Sequence, residues 1–237
     1  MFVLDTVSGR VRVAFTDRHS TKRRSTDRHG TDLAGAAGLA RLAAALDMRV
    51  EDVVVMRQVH GNDVAVVDRS TPRTPMPVAD ALVTSTPGLA LLARAADCVP
   101  VALADPAIGI AAVVHSGRQG TAAGVAPATV EVMRAQGAGE LEAWIGPRVC
   151  GACYEVPAEL RAEVAAAEPA TWSTTRAGTP ALDLAAGVRA QLHRAGVHVH
   201  ELPDDAPTCT MESPNLFSHR RQGASSGRQG VLVQVLS

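Results

Sequence analysis

Apolar residues fall along this chain in short runs of two kinds, one of strand length and one at helical spacing. VRVAF at 11–15 alternates and predicts a strand. Segments of strand length follow at 53–56, 64–67, 89–93, 99–104 and 110–114, then at 141–145, 197–201 and 231–235. From Asp32 to Asp47, Leu33, Leu39, Leu42 and Leu46 recur near helical spacing behind a capping aspartate, which predicts a helix. Further helical patterns stand at about 124–136, 157–167 and 183–195.

Polar stretches separate these elements. TDRHSTKRRSTDRHG, with T-D-R-H at 16–19 and again at 26–29, reads as a solvated basic loop. STPRTPMPVAD at 70–80 reads as a surface loop, and neither it nor 168–180 is long enough to part independent domains. The expectation is one mixed α/β domain over 1–237.

Composition narrows the function. A chain of 237 residues that is 46% hydrophobic can bury a full core, and its net charge of −1 calls for no nucleic-acid or polyanion partner. A small substrate is expected. The opening MFVLDTVSGRVRVAF lacks a charged region followed by an apolar one, and no apolar run reaches the length of a membrane span, so the expected location is the cytoplasm. Four cysteines are too few for a disulfide scaffold and are expected to be thiols or ligands.

The chemistry concentrates in ADCVPVALADPAIGIAAVVHSG. Cys98 precedes strand 99–104, residues 105–109 carry turn signals, and strand 110–114 runs into His115. Strands of matched length around a turn form a hairpin, which brings Cys98 and His115 to its open end. His60, in RQVHGNDV, sits in a turn between the segments near 55 and 65 and is a third candidate ligand. Two imidazoles and a thiolate form a set that holds zinc and leaves a fourth position open for water or substrate. The same Cys98 and His115 could instead work as a thiol–imidazole dyad in nucleophilic catalysis. Spacing alone leaves both readings open.

The chain resembles the YfiH-type family, also called laccase-domain or polyphenol oxidase proteins, purine nucleoside phosphorylases and peptidoglycan editing factor. The resemblance spans nearly the whole chain and rests on AFTDRH (14–19), QVHGNDV (58–64), ADALVTSTPGLALL (79–92), ADCVPVALADP (96–106), VVHSGRQGT (113–121), IGPRVCGACYEV (145–156) and LFSHRRQG (216–223). It implies an α/β sandwich with mixed β-sheets flanked by helices, and zinc on His60, Cys98 and His115. It also implies phosphorolysis of adenosine, inosine, guanosine and methylthioadenosine to free base and a ribose 1-phosphate, together with deamination of adenosine. Purine nucleoside and phosphate are then the partners, and no nucleic acid or membrane is implied. The alternatives are a copper polyphenol oxidase, a hydrolase editing peptidoglycan precursors, and a binding protein that has lost catalysis.

The chain departs from the family pattern at three places. Family members carry H-A-G-W followed by a basic residue and Gly, whereas this chain reads His115-Ser116-Gly117-Arg118-Gln119-Gly120, with the basic residue one place early. F-S-Y-R-R becomes Phe217-Ser218-His219-Arg220-Arg221, and TDLAG with LAR replaces segments that carry asparagines in the family. Arg118, Arg220 and Arg221 are the candidate phosphate or substrate binders. The HSGRQGT turn, placed before a helix at 124, is a candidate anion cradle. Cys150 and Cys153 form a C-x-x-C without a second pair and are expected to be structural thiols. His198 and His200 form a single H-x-H, which alternation places on one face of an exposed strand.

Overall fold

A computed structural model describes residues 2–18 and 32–237. The second T-D-R-H copy, and the histidine of the first, lie outside these residues. The chain builds β1 (Phe2–Ser8), β2 (Val11–Thr16), α1 (Ala36–Ala45), β3 (Val53–Val55), β4 (Val64–Val66), β5 (Ala81–Thr84), β6 (Ala90–Ala95), β7 (Val99–Asp105) and β8 (Ile110–Ser116). It continues through α2 (Arg118–Ala122), α3 (Val125–Ala135), β9 (Glu142–Ile145), α4 (Ala158–Ala167), β10 (Trp172–Thr174), β11 (Pro180–Leu182), α5 (Leu184–Arg194), β12 (His198–His200), α6 (His219–Gln222) and β13 (Gln229–Val235).

Two mixed sheets result, one in the order β1-β2-β13-β6-β3 and one in the order β12-β9-β7-β8-β5-β4, while β10 and β11 form a small ribbon. Side-chain parity stacks them. In β2, β6 and β13, Val13, Phe15, Leu91, Ala93, Val231 and Val233 point towards Ala102, Ala104, Ala111 and Val113 of β7 and β8, so the two sheets share one core. The opposite parity of β7 and β8, with Val101, Leu103, Ala112 and Val114, packs under α3 and α5 through Val130, Met133, Val188 and Leu192. Ala14, Ala90, Leu92 and Leu232 turn outward onto Leu42, Ala43 and Leu46 in and just after α1. The layers run helix, sheet, sheet, helices, as expected.

Because both central strands are covered on both faces, they read as unbroken apolar runs rather than as alternating ones. Pro100 is tolerated in central β7 because it stands at the strand's start, and the ladder to β9 begins only at Val101. The helix expected over 32–47 is shorter, because Asp32 accepts hydrogen bonds from the Arg228 and Ala34 backbone N–H groups and holds 32–35 in a turn. The sequence reading had no strand at β1, a half-exposed edge, or at β5, only four residues long. Among the described residues no helix is long and apolar enough to cross a membrane.

Candidate metal centre and its cleft

The β7–β8 hairpin forms as expected, with Pro100 opposite His115 in the register. Cys98 therefore stands two rungs beyond, across from Gly117, and its parity matches that of Ala102 and His115, which face the layer between the sheets. On the other side of β8, Ala81 pairs with Val114, so Asp80 lies beside His115 at the end of the ladder. His60 arrives from the turn after β3. The ligand atoms of His60, Cys98 and His115 all lie within 4.8 Å of one another, and Cys98 Sγ is 3.8 Å from His60 Nε2.

Asp80 organises this group, and sequence reasoning assigned it no role. Fully buried, it accepts backbone hydrogen bonds from Val59 (3.1 Å), His60 (3.0 Å) and Gly61 (2.7 Å), and a 2.8 Å bond from the His115 ring at Nδ1. The three backbone bonds hold His60 at a φ of 63°, a left-handed conformation that costs a non-glycine residue about 1–2 kcal/mol. The ring bond fixes the tautomer of His115 and leaves Nε2 directed at Cys98 and His60, the carboxylate–histidine arrangement common behind metal ligands. The available signal was an acidic residue set among Ala79, Ala81, Leu82 and Val83.

Glycine completes the fit. A Cβ on Gly117 would lie 2.8 Å from His60 Cδ2 and 3.2 Å from Cys98 Sγ, so only a bare backbone lets the three donors converge. A Cβ on Gly120 would lie 2.9 Å from the Gly61 carbonyl oxygen. The HSGRQGT segment therefore ends β8 and forms the first turn of α2, packed against the His60 turn. Helix formation starts at Arg118, ahead of the helix expected from about 124, which is α3.

Electrostatics couple the donors. Burial pushes the Cys98 thiol up, but hydrogen bonding to His115 and His60 outweighs it and holds the thiol at about 6. Burial pushes the His115 imidazole down, but its bonds to Asp80 and Cys98 win and raise it to about 9. The carboxyl of Asp80 is pushed up by burial, and the bonds from His115, Gly61 and Val59 hold it below its ordinary value. Without a cation the site is a thiolate–imidazolium pair, and a metal must displace the proton on His115.

These residues open into a cleft of about 600 Å³ that contains five arginines, Arg57, Arg94, Arg118, Arg220 and Arg228. Among the described residues its one acidic lining residue, Asp97, is occupied: Oδ1 accepts the Thr210 hydroxyl at 2.5 Å and Oδ2 the Arg220 backbone N–H at 2.7 Å. A chain of net charge −1 thus concentrates positive charge here. Arg118 has no hydrogen-bond or ion-pair partner among the described residues, whereas Arg220 lies over the Tyr154 ring at 4.7 Å and donates to the Glu155 carbonyl at 2.9 Å.

Arg221, expected beside Arg220 as an anion binder, does not line the cleft. Its guanidinium donates to the carbonyls of Thr210, Met211, Ser213 and Leu216, so it braces the 210–216 loop. Arg57, Arg94 and Arg228 were missed, although a charged residue at position 94 inside the apolar β6 was a visible signal. The H-x-H stands apart from both donor groups, since His200 bonds Glu142 at 3.0 Å and stacks on Trp144. The C-x-x-C does have a second pair, Cys209 and Glu212, drawn together by the fold.

Fold and site define a mixed α/β sandwich carrying a three-donor His/Cys centre in a cationic cleft. The chain belongs to the family described as multi-copper polyphenol oxidoreductase laccase, whose model matches residues 16–236. A purine nucleoside phosphorylase of Streptomyces coelicolor is 51% identical over 202 residues, covering 84% of this chain and 82% of the relative. Adenosine deaminase RL5, from an unknown prokaryotic organism, is 35% identical and covers 80% and 78%. The crystal structure of YlmD from Geobacillus stearothermophilus superposes with a TM-score of 0.82 at 27% identity, covering 97% of this chain and 93% of that one.

Proposed function

We propose that this protein is a zinc-dependent purine nucleoside phosphorylase with adenosine deaminase activity. The observation that carries the reading is the juxtaposition of one His₂Cys donor group with five cleft arginines, among them Arg118, three residues after His115, and Arg220, whose backbone N–H bonds Asp97 next to Cys98. The donor types suit zinc, and the bare Gly117 backbone and the Asp80 bond suit a bound cation. His60, Cys98 and His115 would hold it, and zinc so held supplies a Lewis-acidic position left open by three protein ligands.

The chain's own groups do the rest. Arg118, with its donors unspent, takes an oxyanion of inorganic phosphate, and Arg220, braced by Tyr154 and Glu155, adds a second positive contact. A cleft of about 600 Å³ matches the usual size for a small-molecule site and has room for a nucleoside beside that anion. In phosphorolysis a phosphate oxygen bonds to the ribose C1 carbon as the bond to the purine nitrogen breaks, and the base leaves with a proton. In deamination water adds at the purine C6 carbon and ammonia leaves. Adenosine, inosine, guanosine and methylthioadenosine form the proposed substrate set, and the names carried by the Streptomyces relative and by RL5 support the two reactions.

The family's description favours one other reading, a copper polyphenol oxidase. Adenosine supplied with and without phosphate separates them. Adenine and ribose 1-phosphate should appear only with phosphate, while inosine appears in both. Oxidation of a phenol by copper-loaded protein, with no purine product from zinc-loaded protein, would establish the oxidase instead.

A further inference from the structure

We propose that Cys150, Cys153, Cys209 and Glu212 form a second, closed metal site for a thiolate-seeking divalent cation, zinc above all, which clamps the cleft-lining loop at 149–154 to the loop at 209–213. The four ligand atoms lie within 4.8 Å of one another although the two pairs are far apart in sequence. Each pair has the same spacing, C-x-x-C at 150–153 and C-x-x-E at 209–212.

The backbone is arranged as a pair of knuckles. At the first, the Cys153 and Tyr154 N–H groups donate to the Cys150 carbonyl at 2.9 and 3.0 Å. At the second, the Glu212 and Ser213 N–H groups donate to the Cys209 carbonyl at 3.3 and 3.0 Å. A parallel bridge between Arg148 and Cys209 holds the knuckles side by side, with the Arg148 N–H on the Thr208 carbonyl and the Thr210 N–H on the Arg148 carbonyl, both at 2.9 Å. The Cys150 N–H points at Cys209 Sγ at 3.5 Å, a contact that supports a sulfur carrying negative charge.

Packing alone does not explain the group. A cysteine used as a small hydrophobe needs no carboxylate, yet the Cys153 thiol donates to Glu212 at 3.3 Å, and one disulfide would leave a third thiol over. A cation already sits at the rim: the Arg176 guanidinium lies 3.4 Å from Cys153 Sγ and pairs with Glu212. Four protein donors leave no open position, which marks a structural site rather than a catalytic one. Binding zinc here displaces the thiol protons to solvent and consumes no oxidant.

The location gives the site its consequence. Val149 and Tyr154, flanking the first knuckle, line the cleft, and Asp97 ties Val149, Thr210 and Arg220 together directly beside Cys98. A clamp at the knuckles therefore sets the position of Arg220 and of the loop carrying Cys98.

The full chain with Cys98→Ala and His115→Ala, purified without oxygen in zinc and dialysed, isolates this site from the first. We expect about one zinc per chain by elemental analysis, protected thiols at Cys150, Cys153 and Cys209, and loss of that zinc when Cys150→Ser and Cys153→Ser are added. Cobalt in place of zinc should show intense sulfur-to-metal charge-transfer absorption in the near ultraviolet. Glu212→Gln, at an exposed position that leaves all three thiols, should weaken zinc binding by about tenfold or more without unfolding the chain. Freely reactive thiols with no zinc in the double variant, or a Cys150–Cys209 disulfide in the anaerobically purified protein, would overturn the proposal.

Discussion

Asp80 and His115 face each other at the end of the β5–β8 ladder and are joined twice: the ring donates from Nδ1 to the carboxylate at 2.8 Å, and the His115 backbone N–H donates to the Asp80 carbonyl at 2.8 Å. The same carboxylate collects the Val59, His60 and Gly61 N–H groups. One buried side chain thus sets two of the three ligands, the ring of one and the backbone of the other.

Asp80→Asn keeps the size and loses the charge, and one of its amide hydrogens meets donors. Metal affinity should fall about 10–100-fold, measured by competition with a chromogenic chelator. Unchanged affinity in a folded Asp80→Asn protein would show that Asp80 does not position the ligands.

Gly117→Ala tests the fit of the backbone. Its Cβ would crowd His60 Cδ2 at 2.8 Å, and because His60 is exposed its ring can swing away while the fold stands. We expect metal affinity to drop about tenfold or more while metal-free stability changes by less than about 1 kcal/mol. Full metal retention would mean that His60 is not a ligand.

Cys98 gives a pH test on metal-free protein. Held at about 6, its thiol should be mostly thiolate at neutral pH, and its alkylation rate should climb as pH rises through 6 rather than through the ordinary value near 9. Burial and the neighbouring thiols Cys209 and Cys153 push Cys150 up to about 12, and Cys153 is raised as well, so neither competes at neutral pH. In His115→Gln the larger of the two lowering partners is gone, His60 remaining, and the Cys98 profile should shift upward. An alkylation midpoint near 9 in wild type would contradict the coupled pair.

The elements legible in the sequence are those with local periodicity. The hairpin of β7 and β8 was legible because turn signals separate two apolar runs of nearly equal length, and Cys98 and His115 followed from counting along it. The role of Asp80 was not legible, since a lone acid in VADALVTS has no local mark that four separate donors will converge on it. Arg57, Arg94 and Arg228 reach one cleft from β6 and two loops that only the sheet order brings together. Arg221 beside Arg220 shows the converse: neighbours in sequence, they point to different tasks, which no pattern in SHRRQ distinguishes. Cys209 was invisible as the partner of Cys150 because a parallel bridge between distant loops has no signature in the chain.

Arg118 and Arg221 should separate in mutation. Arg118→Ala should lower phosphorolysis by about 10-fold, roughly 1.4 kcal/mol at the transition state, with deamination retained. Arg221→Ala removes a brace of four carbonyl contacts and should cost about 1–3 kcal/mol of stability, read by denaturant unfolding. Equal loss of both reactions in Arg118→Ala would assign Arg118 to the nucleoside rather than to phosphate.

The central claim is that His60, Cys98 and His115 form one centre serving both reactions, and it is tested most directly by following adenosine with zinc and phosphate in wild type and in His115→Ala. Wild type should yield adenine, ribose 1-phosphate and inosine, and His115→Ala, left with two ligands, should yield none of them while remaining folded. Purine products from folded His115→Ala at the wild-type rate, or no turnover of any purine nucleoside by zinc-loaded wild type, would contradict it.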